Sequence, residues 1–176
     1  SLALPFDRER SGLNLGEGAG IVILEKESIA SRRGRKPDLF LKGYGLAADG
    51  YHLTAPHPEG KGLEKALKIA LGEADLNTGD VAFVNAHGTA TKDNDRVEGV
   101  VLKKVFGPKL KFLSTKGFTG HTLGAAGGLE AVFSALALRQ GWIPASSGFI
   151  NQDDEIGISP VQQKTEIKGS HAVSTS

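Results

Sequence analysis

Short apolar runs alternate with helical patterns along this chain, and this alternation restricts the folds that it can adopt. The run at 81–85, Val-Ala-Phe-Val-Asn, has the length and composition of a buried strand. A helical pattern over 93–106 follows it, and a second short apolar run occupies 112–115. Strands that alternate with amphipathic helices predict an α/β domain, in which helices cover a layered sheet.

The same patterns place the other elements. Leucine and alanine recur at helical spacing over 61–73, and apolar residues do so again over 128–139. A short polar helix is expected over 25–33, before Gly34. Three further strands are expected, at 18–25, 39–47 and 172–175. The first of these is almost continuously apolar, which is typical of a strand that is covered on both faces.

Composition excludes several function classes. The 176 residues are 39% hydrophobic, enough for the core of one domain. A net charge of +1 gives no overall field for nucleic acid or anionic membranes. Neither a signal peptide nor a membrane span is recognisable. The absence of cysteine fits a reducing compartment, so a cytoplasmic location is expected, and it excludes disulfides and thiolate metal sites.

Two histidines lie in turns that are rich in glycine and threonine. Residues 84–91 read Val-Asn-Ala-His-Gly-Thr-Ala-Thr, and residues 114–127 read Ser-Thr-Lys-Gly-Phe-Thr-Gly-His-Thr-Leu-Gly-Ala-Ala-Gly. An apolar run delivers His87 and His121 to places where small neighbours leave room for a ligand. Lys116 lies between them, and a nearby cation disfavours protonation of an imidazole. The pattern predicts a site that polarises a substrate through neutral histidines.

Both segments resemble the two histidine motifs of the β-ketoacyl synthases, the decarboxylating condensing enzymes of fatty-acid and polyketide synthesis. Further matches are Pro-Phe-Asp-Arg-Glu-Arg-Ser-Gly at 5–12, Gly-Glu-Gly-Ala-Gly at 16–20 and Asp-Gly-Tyr-His-Leu-Thr-Ala-Pro at 49–56. The resemblance covers nearly the whole chain. It implies that residues 1–176 form the C-terminal half of a thiolase-like fold, a layered mixed β-sheet with flanking helices.

The resemblance also assigns catalytic roles. Loss of carbon dioxide from a malonyl thioester leaves an enolate, and His87 and His121 would hold its oxygen as an oxyanion hole, which is worth roughly 3–4 kcal/mol per donor. Lys116 and Glu130 would form a supporting charge pair. The alternative for Glu130 is a favourable acid in the first turn of a helix.

Substrate-binding roles follow in the same way. Thr89 and Thr91 would bind the phosphopantetheine arm that carries the thioester, and Thr54 would lie in a gating loop. The alternative for the two threonines is that their hydroxyls satisfy the backbone of the turn. Asp95 and Glu98 match acidic positions of the family, and a structural role is expected for them. For His52, His57 and His171 a structural role is expected, and no metal or cofactor is implied.

The family's cysteine nucleophile has no counterpart here. It belongs to an N-terminal half that precedes the Pro-Phe-Asp motif, so this chain is expected to be inactive alone. The expected partners are that half, an acyl carrier protein bearing malonyl or acyl groups, and a second copy of the parent protein. The basic cluster at 32–36 is interpreted as a solvated turn, with a docking patch for an acidic carrier as the alternative.

Two other hypotheses remain. A chain-length-factor-like partner subunit would keep the fold without the nucleophile, but it has no need of both histidines and Lys116. A thiolase relative that does not decarboxylate fits less well, because such enzymes pair one histidine with a second cysteine.

Overall fold

The computed structural model describes residues 2–53 and 55–176. Among these residues, the helices are α1 (Glu27–Arg32), α2 (Lys61–Glu73), α3 (Lys92–Phe106), α4 (Lys116–Thr119) and α5 (Ala126–Gln140). The strands are β1 (Val81–Asn85), β2 (Phe112–Leu113), β3 (Trp142–Ile143), β4 (Thr165–Glu166) and β5 (His171–Ser174). Short 3₁₀ turns occupy Thr78–Asp80 and Leu123–Ala125.

A parallel sheet with the order β2-β1-β5 forms the centre of the fold. Asn85, the last residue of β1, lies opposite Leu113 of β2 and Ser174 of β5. All three strands therefore end at the same edge of the sheet, and the segments that follow them are brought together there. A separate antiparallel pair joins β3 to β4.

Alternate residues of β1 enter two different cores. Val84 packs on one face with Leu67 of α2 and Val101 of α3. Phe83 packs on the other face with Ala137 of α5. The sheet is thus covered on both sides, because neighbouring side chains of a strand point to opposite faces and β1 has apolar residues on both.

Most elements lie where the sequence predicts them. The helix over 61–73 and the strand over 81–85 are confirmed to the residue, and α1, α3, α5, β2 and β5 begin and end within two residues of the expected positions. The short helix α4 is not predicted by the sequence pattern. The basic cluster at 32–36 is exposed and begins at Arg32, the last residue of α1, and its Arg33 pairs with Glu25 at 2.7 Å.

The predicted strands at 18–25 and 39–47 are wrong. Neither segment is hydrogen-bonded into a sheet within the described residues. Their large apolar residues face outward: Ile23 is 89% exposed and Leu46 is 82% exposed. A nearly continuous apolar sequence indicates that a segment is suited to burial. Whether its side chains are buried depends on which other elements of the fold pack against it.

Glycines let the backbones of these two segments pack closely against helices. A Cβ on Gly20 would lie 2.3 Å from the carbonyl carbon of Gly128 in α5, and a Cβ on Gly45 would lie 2.0 Å from the carbonyl oxygen of Ala66 in α2. Only glycine permits such close backbone approach. The small residues of each segment therefore contact the helices, and the larger ones are left on the outside.

Candidate active site

The common edge of the sheet brings the two histidine turns together. β1 leads directly to His87, and β2 leads through Ser114 and Thr115 to Lys116, the first residue of α4. His121 follows the end of this short helix. The first turn requires glycine, because Gly88 has a φ of +41° and a Cβ there would lie 2.5 Å from Ser114 Cβ.

His87 and His121 face each other in the folded chain. Their ring centroids are 5.1 Å apart, and the ring planes are nearly perpendicular, at 87°. His121 is also fixed through its backbone, since its N–H donates to the carbonyl of Asn14 at 2.7 Å and its carbonyl accepts from Gly16. His87 and His121, together with Lys116 and Glu130, form what we term the histidine site.

Hydrogen bonds determine the same tautomer for both rings. The Lys116 ammonium lies 3.3 Å from Nδ1 of His87, and an ammonium group can only donate. The backbone N–H of Leu123 donates to Nδ1 of His121 at 3.1 Å. In each neutral ring Nδ1 is therefore the acceptor, and the proton is on Nε2. Each histidine has one N–H donor available for a ligand.

The surroundings keep both imidazoles uncharged. Burial, and to a lesser degree the nearby Lys116 and His121, lower the pKa of His87 from 6.5 to about 3. Burial followed by the charge of Lys116 also lowers the pKa of His121. The sequence predicts the effect of the lysine, while the larger contribution of burial becomes visible only in the fold.

Lys116 and Glu130 form a buried ion pair, with side chains that are 3% and 2% exposed. Nζ of Lys116 donates to Oε1 of Glu130. Glu130 is the fifth residue of α5, so its contact is with this lysine rather than with the helix N-terminus. Burial raises the pKa of Glu130, and the hydrogen bond from Lys116 opposes that rise. Its Oε2 has no hydrogen-bond partner among the described residues, so the lysine is what offsets the burial of its charge.

Thr89 and Thr91 bring their hydroxyls together, although the segment is not extended as the sequence prediction assumes, because Ala90 between them has a φ of +65°. The two oxygens are 2.9 Å apart and hydrogen-bonded to each other. Thr91 precedes α3 without capping it through its side chain. The N–H of Thr91 reaches Thr89 Oγ1 only at a long 3.5 Å. Thr54 lies outside the described residues.

Asp95 and Glu98 accept hydrogen bonds from backbone N–H groups, including those of the turn that contains His87. Asp95 accepts the backbone N–H of Phe6 at 2.7 Å and that of Ala90 at 3.1 Å. Glu98 accepts the backbone N–H groups of His87 and Gly88, each at 2.8 Å. Burial raises the pKa of Asp95 from 3.8 to about 6, and it also raises the pKa of Glu98. Both carboxyls hold backbone, in line with the expected structural role.

Thr175 is a contact that sequence reasoning missed. Its hydroxyl donates to Glu98 Oε1 at 2.6 Å, and its oxygen lies 3.0 Å from the N–H of His87. No local pattern marks this residue, because the contact depends on β5 lying next to β1.

In the part of the chain that is described, no three histidine, cysteine or acidic side chains are grouped so as to hold a metal ion. No helix over the same residues combines the length and the apolar character needed to cross a bilayer.

Comparison with known proteins relates this geometry to a family. Residues 40–149 match the family model described as Beta-ketoacyl synthase, C-terminal domain. The chain belongs to the β-ketoacyl synthase family. The matched residues include the histidine site and both threonines. The resemblance seen in the sequence motifs is thereby confirmed.

Curated relatives are synthases of the same family. The 3-oxoacyl-[acyl-carrier-protein] synthase 2 of Staphylococcus aureus is 40% identical over 165 residues, which are 92% of this chain and 41% of that protein. The mitochondrial 3-oxoacyl-[acyl-carrier-protein] synthase of Arabidopsis thaliana is 44% identical over 154 residues, 85% of this chain and 33% of that protein. The chain thus spans about two fifths or less of these relatives.

Solved ketosynthases share the fold. The ishigamide ketosynthase/chain length factor superposes with a TM-score of 0.88 at 34% identity, over 94% of this chain and 41% of that one. The AntDE:AntF complex, a type II polyketide ketosynthase with its acyl carrier protein, superposes with a TM-score of 0.89 at 28% identity, over 98% and 43%. These likenesses confirm the predicted α/β fold as part of a thiolase-like fold.

Proposed function

We propose that this chain supplies the decarboxylation site of a β-ketoacyl-[acyl-carrier-protein] synthase. In this reaction a malonyl thioester loses carbon dioxide, and the resulting enolate attacks an acyl thioester held on a cysteine of the enzyme. A carbon–carbon bond forms, and the cysteine thiolate leaves. The observation that carries the proposal is the pair of facing, uncharged imidazoles, each with its proton on Nε2.

Such a pair is suited to the enolate oxygen. Negative charge develops on the thioester oxygen as the carboxylate departs, so a donor aimed at that oxygen stabilises the transition state more than the ground state. Preorganised donors of this kind contribute roughly 3–4 kcal/mol each. A charged imidazolium would instead favour the carboxylate of the bound substrate as well, so neutral rings make the stabilisation more selective.

Lys116 and Glu130 support the two donors. Lys116 fixes the tautomer of His87 through Nδ1, and its charge helps to keep both rings neutral. Glu130 balances that charge in a region where neither group reaches water. The ion pair therefore sets the state of the histidines without contacting substrate.

Thr89 and Thr91 complete the binding surface in this proposal. Their paired hydroxyls lie two and four residues after His87, where a phosphopantetheine arm that delivers a thioester would pass. Thr54 is assigned to the gating loop on the strength of its motif alone. The carrier is an acyl carrier protein, as the names of the relatives state for those proteins.

The nucleophile must come from elsewhere, because the chain contains no cysteine. We place it in an N-terminal half of the same fold, with residues 1–176 as the C-terminal domain, and we expect the assembled protein to form a homodimer in the cytoplasm. The acyl chain is expected to lie in a pocket to which that half contributes. The chain by itself is expected to be inactive in condensation.

Release of carbon dioxide from malonyl carrier protein tests the proposal. It is measured on the complete synthase, in which this chain is joined to the nucleophile-bearing segment. His87→Ala and His121→Ala should each lower the decarboxylation rate by about 10²–10³-fold, the effect of losing one oxyanion donor. Asparagine at either position keeps an N–H donor and should recover part of the rate.

His171→Ala is the matched control. His171 begins β5, at the opposite end of that strand from the site, and its ring is hydrogen-bonded to Ser170. Its removal should leave the rate unchanged. Full decarboxylation by the His87 and His121 variants would disprove the assignment of the two donors.

A second candidate is a chain-length-factor-like subunit, since two solved structures that resemble this chain contain a ketosynthase with its chain length factor. The assay separates the two functions. A subunit of that class would release no carbon dioxide by itself and would be needed only beside a separate, cysteine-bearing ketosynthase.

A further inference from the structure

The end of β5 is connected to the catalytic turn through one side chain. Thr175 follows β5 and is 6% exposed. Its backbone N–H donates to the carbonyl of Asn85 at 3.1 Å, which continues the pairing of β5 with β1. The hydroxyl then reaches beyond the strand to Glu98 and to the N–H of His87.

Three donors converge on the Glu98 carboxyl, which is 2% exposed. They are the Thr175 hydroxyl at 2.6 Å and the N–H groups of His87 and Gly88, both at 2.8 Å. Hydrogen bonds to a buried carboxylate are among the strong ones, and an unmade bond at such a group is costly. Of these donors, the Thr175 hydroxyl is the one that comes from a side chain.

We propose that Thr175 is a positioning residue, whose hydroxyl joins Glu98 to the backbone of His87 and fixes the place from which His87 Nε2 reaches the substrate oxygen. Glu98, in α3, binds the backbone of the turn, and Thr175, the residue after β5, binds both Glu98 and that backbone. The turn is therefore fixed from two elements that are 77 residues apart in the sequence.

The inference rests on the proposed function, in which His87 is an oxyanion donor. Oxyanion donors act through exact placement, and a displacement of about 1 Å can cost on the order of 100-fold in rate. Without the hydroxyl, Glu98 loses one of its three donors and the His87 N–H loses one of its two acceptors. The turn then has fewer restraints, and the imidazole moves relative to the enolate oxygen.

Paired variants of Thr175 test this role. Thr175→Val has nearly the same shape but no hydroxyl, whereas Thr175→Ser retains the hydroxyl. In the complete synthase, we expect valine to lower kcat for malonyl decarboxylation about tenfold or more, by the loss of one hydrogen bond to a charged group. KM should change little, because Thr175 does not touch substrate. Serine should restore kcat.

A spectroscopic measurement on the 176-residue chain tests the contact independently of catalysis. The amide proton of His87 should change its NMR chemical shift in Thr175→Val and return toward the wild-type value in Thr175→Ser. Thr165→Val is the control, since Thr165 lies in β4 and donates to the carbonyl of Gln163. It should leave both the shift and the rate unchanged.

The outcomes are distinct. Wild-type kcat in Thr175→Val, loss of kcat that serine does not restore, or an unchanged His87 amide shift would each overturn the positioning role. If the wild-type synthase does not decarboxylate malonyl carrier protein, the proposed function fails instead. The NMR comparison alone then decides whether the hydroxyl holds His87.

Discussion

The histidine site and the exposed segments at 21–24 and 40–46 violate the usual distribution of residues in opposite ways. In the site, Lys116 and Glu130 are almost completely buried. In the exposed segments, Ile23 and Leu46 are almost completely exposed. Charged residues normally stay in water and isoleucine and leucine normally leave it. The difference shows for which parts of the fold this chain itself provides the packing and ionic partners.

The hydrogen bonds described for the histidine site join residues of this chain. Lys116 provides the charge that Glu130 needs, and the backbone of Leu123 provides the donor that fixes His121. The exposed segments have helices on one side and no sheet partner on the other among the described residues. The geometry of the site is therefore a property of this chain, whereas burial of the segments is not. Contiguous apolar surface of this kind is typical of interaction sites or aggregation-prone edges.

The largest expected effect is on the buried ion pair. Lys116→Met should lower the free energy of unfolding by about 3–5 kcal/mol, because it leaves the Glu130 carboxylate buried without a cation. The double variant Lys116→Met/Glu130→Gln should recover much of this loss, since no charge is then left unpaired. Urea unfolding followed by circular dichroism measures both. Lys65→Met, at an exposed position of α2, is the control. An equal loss in the single and double variants would contradict the coupling.

Two isoleucines compare the regions directly. Ile143 is 0% exposed and Ile23 is 89% exposed. Ile143→Ala should cost about 2–5 kcal/mol, because it removes buried contacts and leaves a cavity. Ile23→Ala should change the free energy of unfolding by less than about 0.5 kcal/mol. Similar costs in urea unfolding would show that 21–24 is covered in solution.

The same contrast explains what the sequence could predict. Helical spacing over 61–73 and the apolar run at 81–85 are local patterns, and both elements lie where expected. The meeting of His87 and Lys116 follows from parallel strands that end at one edge. Burial at 18–25 is a different kind of property, because it depends on partners that no local pattern identifies. For the same reason Thr175 escaped notice: it reaches Glu98 only because β5 pairs with β1.

A smaller effect is expected in the pH dependence of stability. Burial lowers the pKa of His87 from 6.5 to about 3, so its contribution to the free energy of unfolding rises with pH across that window. Burial raises the pKa of Asp95 from 3.8 to about 6, so its contribution falls as pH rises from about 4 to 6. The two contributions oppose each other in the wild type.

Asp95→Asn should remove the opposing contribution, so that the effect of His87 on the pH dependence of the free energy of unfolding can be measured. Between about pH 4 and 6, the free energy of unfolding of this variant should rise with pH more steeply than that of the wild type, by up to about 1.4 kcal/mol per pH unit. Urea unfolding at several pH values measures the slopes. Asp93→Asn removes a carboxylate from an exposed position of the same helix and shows the effect of charge alone. Parallel curves for the wild type and Asp95→Asn would contradict the raised pKa.

The smallest effect on stability is expected from charges placed in the exposed segments, and these changes should instead affect self-association. Ile23→Lys and Leu46→Lys place charges at positions that already face water, so the free energy of unfolding should change by less than about 0.5 kcal/mol. Charges within an exposed apolar segment oppose its association with a second copy, so the chain should self-associate less at high concentration. Sedimentation velocity measures this change, and Lys68→Ala, at an exposed position of α2, controls for a change of charge elsewhere. If lysine at either position unfolds the chain while its self-association stays the same, then the segments are buried within the monomer. The contrast between the histidine site and the exposed segments would then be wrong.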